Sequence, residues 1–218
     1  MEKYIKFLEK CALFDGIDRE RLLRMLVCLG AKIKTYEKRC TIMSEGMESD
    51  EVGIILSGSA QITQTDYYGN RNIFGRITQS EVFNEEFACS GTRALPVSIV
   101  ADEPCCVMFI DCGHILHTCS NNCEFHQQLI YNLMKELALK TVKFHEKIEA
   151  TSKRTTREKL LAYLNICAKK DGNEFSIPFD RQELADYLEV DRSGLSVEIS
   201  KLRKEGILDC HKNSFTLL

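Results

Sequence analysis

No stretch of this sequence approaches the roughly 18 consecutive apolar residues of a membrane span. Its opening, Met1 to Lys10, is charged and lacks the apolar stretch of a signal peptide. The expectation is a soluble, cytoplasmic protein with no membrane partner. A basic excess is missing too. Lys and Arg number 29 against 32 Asp and Glu, a formal net charge of −3, so no global positive field announces nucleic acid or an acidic membrane. A phosphate-cradling P-loop, a Gly-x-Ser-x-Gly elbow and a His-Glu-x-x-His pair are all absent, and with them the motif signals of three enzyme classes. Apolar material is ample: of 218 residues, 44% are hydrophobic and 28% charged, the balance of a soluble globular protein. That length suggests one large domain or two small ones.

Cysteine is abundant, with eleven residues. Without a secretion signal a disulfide framework is not expected, because the cytosol keeps thiols reduced. Packed thiols, metal ligands and redox switches stay open.

Three textures follow one another along the chain. Met1 to about Lys32 is helical in pattern, with Leu22, Leu23, Leu26, Val27 and Leu29 at helical spacing. From Ile33 to about Asp111, short apolar runs alternate with turn residues, as in Val52-Gly53-Ile54-Ile55-Leu56 before Ser57-Gly58-Ser59. Many short strands of this kind predict an antiparallel barrel or sandwich, with Gly58 and Gly69 at turns that need positive φ. From about Ser120 the pattern is helical again. Ile130, Leu133, Leu137, Thr141, Phe144 and Ile148 are spaced 3-4-4-3-4, close to the seam of a paired helix. The polar, basic run Thr151 to Thr156 reads as a hinge.

Beyond the hinge, Asp180-Arg181-Gln182-Glu183 has capping-box spacing. It predicts a short helix from Gln182 to Leu188 that buries Leu184, Ala185 and Leu188. After a tight turn, Asp191 caps a second helix from about Arg192 to Glu205, with Leu195, Ile199 and Leu202 as its buried stripe and Gly206 as its stop. Residues 207–218 read as a small β-hairpin. Two helices about a tight turn, followed by a wing, describe a winged helix-turn-helix whose second helix lies in the major groove. Arg192, Ser193 and Ser196 then point outward as donors to base edges and phosphates. Arg181, Lys201 and Lys212 are further candidate contacts. Residues 151–218 hold 12 Lys and Arg against 11 Asp and Glu, so binding depends on local placement and on doubling in a dimer. A winged helix also serves as a protein-binding module, and a signalling module of that kind is the alternative reading.

The order of parts resembles the Crp/Fnr superfamily of transcription regulators, the relatives of the cyclic-AMP receptor protein. The resemblance runs from Leu13-Phe14-Asp15-Gly16-Ile17 through Ile54-Ile55-Leu56-Ser57-Gly58-Ser59, Tyr68-Gly69-Asn70-Arg71 and Glu81-Val82-Phe83-Asn84-Glu85. It ends in Leu184-Ala185-Asp186-Tyr187-Leu188 and Asp191-Arg192-Ser193. It implies an α+β chain: an N-terminal cyclic-nucleotide-binding-like jelly-roll barrel (residues 1–118), a long dimerisation helix (119–150) and a C-terminal winged helix-turn-helix (151–218). It further implies a homodimer on a two-fold-symmetric site in double-stranded DNA, RNA polymerase as a partner, and a small-molecule effector in the barrel. Neither the effector nor a cofactor is identified by the sequence.

Against the nucleotide-binding members, the departures are concentrated at the pocket. Their Gly-Glu pair reads Asn84-Glu85, with Glu86 adding a second negative charge. Their phosphate-holding Arg-Ser pair falls on Leu95 and Pro96, neither of which can hold a phosphate. Arg93 is a replacement cation if the loop shifts. The base-contacting positions of the long helix fall on Phe144 and His145. The resemblance therefore implies a barrel that does not use cyclic AMP. In the second helix of the DNA-reading pair, Val197 stands where members often carry Arg.

One more cluster is dense in soft ligands: Cys112, His114, His117, Cys119, Cys123 and His126. Thiolate and imidazole suit zinc or iron, so a thiol or metal redox sensor is a further alternative to packed thiols. The spacing is not Cys-x-x-Cys, and no metal is assigned.

Overall fold

The computed structural model describes residues 4–92, 94–117 and 124–218. The chain divides into two compact units, Met1–Gln64 with Phe74–Lys140, and Thr65–Ile73 with Thr141–Leu218.

The first unit opens with α1 (Ile5–Leu8), a 3-10 turn (Ala12–Phe14) and α2 (Arg19–Cys28). The helical pattern expected here forms three separate pieces, and between the last two Gly16 takes φ +75°. The chain restarts at Asp18, whose carboxylate accepts from the Arg21 amide at 3.0 Å. Two four-stranded antiparallel sheets follow. One holds β1 (Lys32–Tyr36), β8 (Cys105–Asp111), β3 (Glu51–Ser57) and β6 (Val82–Phe83) in that spatial order. The other holds β2 (Thr41–Met43), β7 (Ser98–Ala101), β4 (Ala60–Thr65) and β5 (Arg71–Ile77). Gly58 turns β3 into β4 at φ +81°, and Gly69 lies between β4 and β5 at φ +84°.

The central strands are apolar without interruption because both of their faces are covered. On β3, Val52, Ile54 and Leu56 join a cluster with Leu8, Leu22, Leu26, Leu129 and Leu133 of the helices. Ile55 faces the other way, into Met43, Phe83, Ile99 and Phe109 between the sheets. On β8, Cys106, Met108 and Ile110 take the helix side, and Cys105, Val107 and Phe109 the inter-sheet side. Gly53 pairs with both Phe83 and Phe109. The Phe83 ring lies 2.1 Å from where a Cβ would stand on Gly53, so any side chain there displaces the ring.

After β6 comes α3 (Glu85–Ser90), preceded by Asn84 in the left-handed conformation at φ +69°. Past β8 lies α4 (Cys112–Leu116), capped by Asp111. The long helix α5 spans Glu124–Thr151.

In the second unit, α6 (Thr156–Asp171) starts at a Thr155/Glu158 capping box and α7 (Arg181–Leu188) at an Asp180/Glu183 capping box. Glu189, left-handed at φ +55°, turns the chain into α8 (Arg192–Lys204). β9 (Glu174–Ser176) joins the wing strands β10 (Leu208–His211) and β11 (Ser214–Leu217) in the order β10-β11-β9. Leu160, Leu164, Leu184, Leu188, Leu195, Ile199, Leu202 and Phe215 form the core. Ala150 of α5 and Ile73 near the start of β5 complete it.

Candidate functional site

The start of α8 is held by its cap. Asp191 accepts from the Gly194 amide at 2.7 Å and from the Ser193 hydroxyl, and these donors keep its carboxyl below the usual range. With Leu195, Ile199 and Leu202 buried, the opposite face carries Arg192, Ser193, Ser196, Ser200, Arg203 and Lys204, all exposed. Ser196 and Ser200 each donate to the carbonyl one turn back, at 3.0 and 2.9 Å. Val197 is 52% exposed on this face, an apolar surface of the kind that meets a thymine methyl.

Lys201 is paired with Glu198 at 2.7 Å, and Lys212 is exposed in the wing turn at φ +52°. Arg181 lies elsewhere. Its guanidinium stands 4.9 Å from the centre of the Phe215 ring and donates to the Cys210 sulfur at 3.4 Å, so it fastens α7 to the wing. Arg203 and Lys204 belong to the basic residues on whose placement the sequence makes binding depend; sequence reasoning missed Ser200, although its spacing from Arg192 and Ser196 continues the outward face.

In the first unit, Asn84 and Glu85 are buried, at 2% and 0% exposure. The Asn84 amide donates to the Glu51 carbonyl at 2.8 Å. Glu85 does not repel Glu86 unopposed, because Lys140 of α5 reaches both. Its Nζ stands 2.7 Å from Glu85 Oε1 and 3.0 Å from Glu86 Oε2. Burial raises the Glu85 carboxyl above its usual range even though Lys140 pulls it down. Burial works against the charge on Lys140, but the two carboxylates outweigh it and hold the ammonium above its usual range. Two acceptor atoms at this cluster, Asn84 Oδ1 and Glu85 Oε2, are buried without a hydrogen-bond donor.

Of the other expected pocket residues, Leu95 is a core residue at 1% exposure, with its amide and carbonyl bound to Met47 and Gly46. Pro96 is exposed, and its carbonyl accepts from Gln64 at 3.0 Å. Arg93 lies outside the described residues. Phe144 and His145 are exposed on the part of α5 that belongs to the second unit, His145 bonded to the Thr141 carbonyl at 2.9 Å. Sequence reasoning missed Lys140. Its signal was position: it stands seven residues past Leu133 and eleven past Leu129, the α5 residues that are buried against the barrel.

The Cys and His candidates are dispersed. Cys112 is buried beside Cys89, and the His126 ring bonds the Ile115 carbonyl at 2.9 Å. His114 and His117 are exposed, and Cys119 and Cys123 lie outside the described residues. Among the described residues no group of three or more His, Cys, Asp or Glu is placed to hold a metal ion.

The model of the cyclic nucleotide-binding domain matches residues 33–122, and that of the Crp-like helix-turn-helix domain matches residues 158–218. The chain belongs to the Crp/Fnr family. It is a DNA-binding transcription regulator of the Crp/Fnr type, in a family whose members act as dimers and are regulators, not enzymes. A Crp/Fnr relative, the transcriptional activator protein FnrL of Cereibacter sphaeroides, is 22% identical over 185 residues, covering 80% of this chain and 71% of its own. In fold the chain is similar to the c-di-GMP responsive global regulator CLP of Xanthomonas campestris. That match has a TM-score of 0.72 and 16% identity, covering 92% of this chain and 99% of that one. A CooA mutant from Carboxydothermus hydrogenoformans matches with a TM-score of 0.71 and 17% identity, over 88% and 85%.

Proposed function

We propose that this Crp/Fnr regulator works as a homodimer that reads a two-fold-symmetric DNA site with Arg192, Ser193 and Ser196, and that its barrel is not a cyclic-AMP receptor. The observation that carries the DNA reading is the Asp191-capped helix with one face buried and a donor-rich face exposed. Lys212 of the wing and Lys201, Arg203 and Lys204 supply phosphate contacts, which position the helix without reading sequence. RNA polymerase is the further partner this role calls for, and the cytoplasm or nucleoid is its place. Among the described residues no helix is long and apolar enough to cross a membrane.

Pairing is supported by α5. Tyr131, Met134, Ala138, Thr141, His145 and Ile148 repeat at 3-4-3-4-3 and are all exposed, Tyr131 at 63% and Met134 at 65%. That repeat is a heptad seam. It shares Thr141 and Ile148 with the seam expected from sequence and is shifted by one residue at Tyr131, Met134, Ala138 and His145; Leu133 and Leu137 of the expected seam pack on the barrel core.

Against cyclic AMP stands the chemistry of the barrel. A buried cyclic phosphate needs a paired cation. Leu95 is in the core, and the ammonium of Lys140 is committed to two carboxylates. The effector is then a molecule other than a cyclic nucleotide, one that offers donors and not negative charge to Asn84 and Glu85.

The test of the DNA reading is selection from random sequence, followed by Arg192→Ala. Selection should return a palindrome. The variant should lose about 1–3 kcal/mol at one base position per half-site at about 150 mM salt. Undiminished specific binding by the variant, or no selected sequence at all, contradicts the reading. The second result leaves a winged helix that binds protein.

A further inference from the structure

Cys89, in the last turn of α3, and Cys112, the first residue of α4, bring their sulfurs within 3.3 Å of each other in the first unit. By sequence Cys112 belongs with the histidines that follow it. In space its partner is a cysteine 23 positions earlier. Cys112 is 2% exposed, whereas Cys89 is only half-buried, so Cys89 is the more accessible residue of the two. They also share their protons unequally. The contact with Cys112 holds the Cys89 thiol below its ordinary range, against burial and the carboxylates of Glu85 and Glu86. The same contact, with burial, pushes the Cys112 thiol up. The reachable sulfur is the better thiolate, and the thiolate is the nucleophile.

We propose that Cys89 and Cys112 are a peroxide-responsive dithiol that closes to a disulfide between α3 and α4. In the first step the Cys89 thiolate attacks one oxygen of hydrogen peroxide. The O–O bond breaks, the sulfur is oxidised by two electrons to a sulfenic acid, and the departing hydroxide takes up a proton to become water. In the second step the Cys112 sulfur gives up its proton and attacks the Cys89 sulfur. The S–O bond breaks, and the hydroxide leaves with that proton as a second water. Two thiols and one peroxide thus become one disulfide and two waters. The sulfurs need to approach by little more than about 1 Å to reach a bond length of about 2.05 Å. Its consequence falls on the carboxylates that hold Lys140. Cys89 is one turn from Glu85 on the same short helix, and the disulfide ties that helix to α4.

The pair is tested on the full-length reduced protein, treated with hydrogen peroxide, blocked with iodoacetamide, digested without reduction and mapped by mass spectrometry. The expected product joins the Cys89 peptide to the Cys112 peptide, two hydrogens lighter than their sum and cleaved by dithiothreitol. In Cys112→Ala the link should vanish and Cys89 should be trapped by dimedone as the sulfenic acid. If that variant does not fold, the wild-type map decides by itself. Cys89 and Cys112 both still alkylated after peroxide, or either one linked only to another cysteine, overturns the proposal. DNA binding measured on the same samples is a separate readout: its absence would contradict the regulator reading and leave the disulfide standing.

Discussion

Replacing Lys140 with Met keeps the length and apolar stem of the side chain and removes its ammonium. Glu85, with no exposed surface, then loses the cation 2.7 Å away, and Glu86 loses the one at 3.0 Å. Breaking a buried ion pair by deleting one partner costs about 3–5 kcal/mol, most of it from the charge left behind. The upper part of that range applies if Glu85 stays ionised. The lower part applies if it takes up a proton, which burial already favours.

The pH dependence separates the two. A carboxyl whose folded pKa is raised is bound to more protons in the folded than in the unfolded chain, so its contribution to stability falls as pH rises through the folded pKa. Without Lys140 that pKa moves further up, and Lys140→Met should lose most at neutral pH and recover toward acid. Glu85→Gln added to Lys140→Met removes the stranded charge and should restore about half of the loss or more. The assay is urea unfolding followed by circular dichroism, with hydrogen exchange of the peptide over α3 as the local readout. A Lys140→Met protein within about 1 kcal/mol of wild type at every pH, with unchanged exchange in α3, would refute the clasp.

Two further outcomes follow from other residues. Lys147, at 6% exposure, donates to Asn72 at 3.0 Å and to the Ile73 carbonyl at 2.6 Å, and burial lowers its pKa from 10.5 to about 8 against the pull of Glu189. The folded chain then binds fewer protons than the unfolded one between about pH 8 and 10.5. The wild type should therefore gain stability relative to Lys147→Met as pH rises across that window, as read from urea midpoints; a constant difference contradicts it. Met134→Glu puts a charge at the centre of the exposed α5 stripe and should weaken the dimer by about 2 kcal/mol or more, roughly thirtyfold, in light scattering at micromolar concentration. A wild-type protein already monomeric there removes the paired-helix account.

The elements most legible in sequence were those fixed by local chemistry. The Asp180/Glu183 box, the Asp191 cap and the turn glycines at 58 and 69 specify their structure within a few residues, and the helices and hairpins stand where they point. Less legible was anything decided by what an element packs against. The apolar residues of α5 fit two heptad frames. The frame holding Leu133 and Leu137 is the more hydrophobic, and for that reason it packs on the barrel, leaving the poorer frame of Tyr131, Met134 and Ala138 exposed. Lys140 meets Glu86 across 54 positions of chain, a contact with no local signature. The contact of Arg181, a candidate DNA-binding residue by sequence, with the Phe215 ring across 34 positions had no local signature either.

The central claim is that this Crp/Fnr barrel holds its own lysine against its carboxylates and does not receive a cyclic nucleotide. Isothermal calorimetry with cyclic AMP and cyclic GMP at up to millimolar concentration measures this most directly. No saturable heat is predicted for either ligand, in the wild type or in Lys140→Met. A dissociation constant below about 10 µM, roughly −6.8 kcal/mol, would contradict the account.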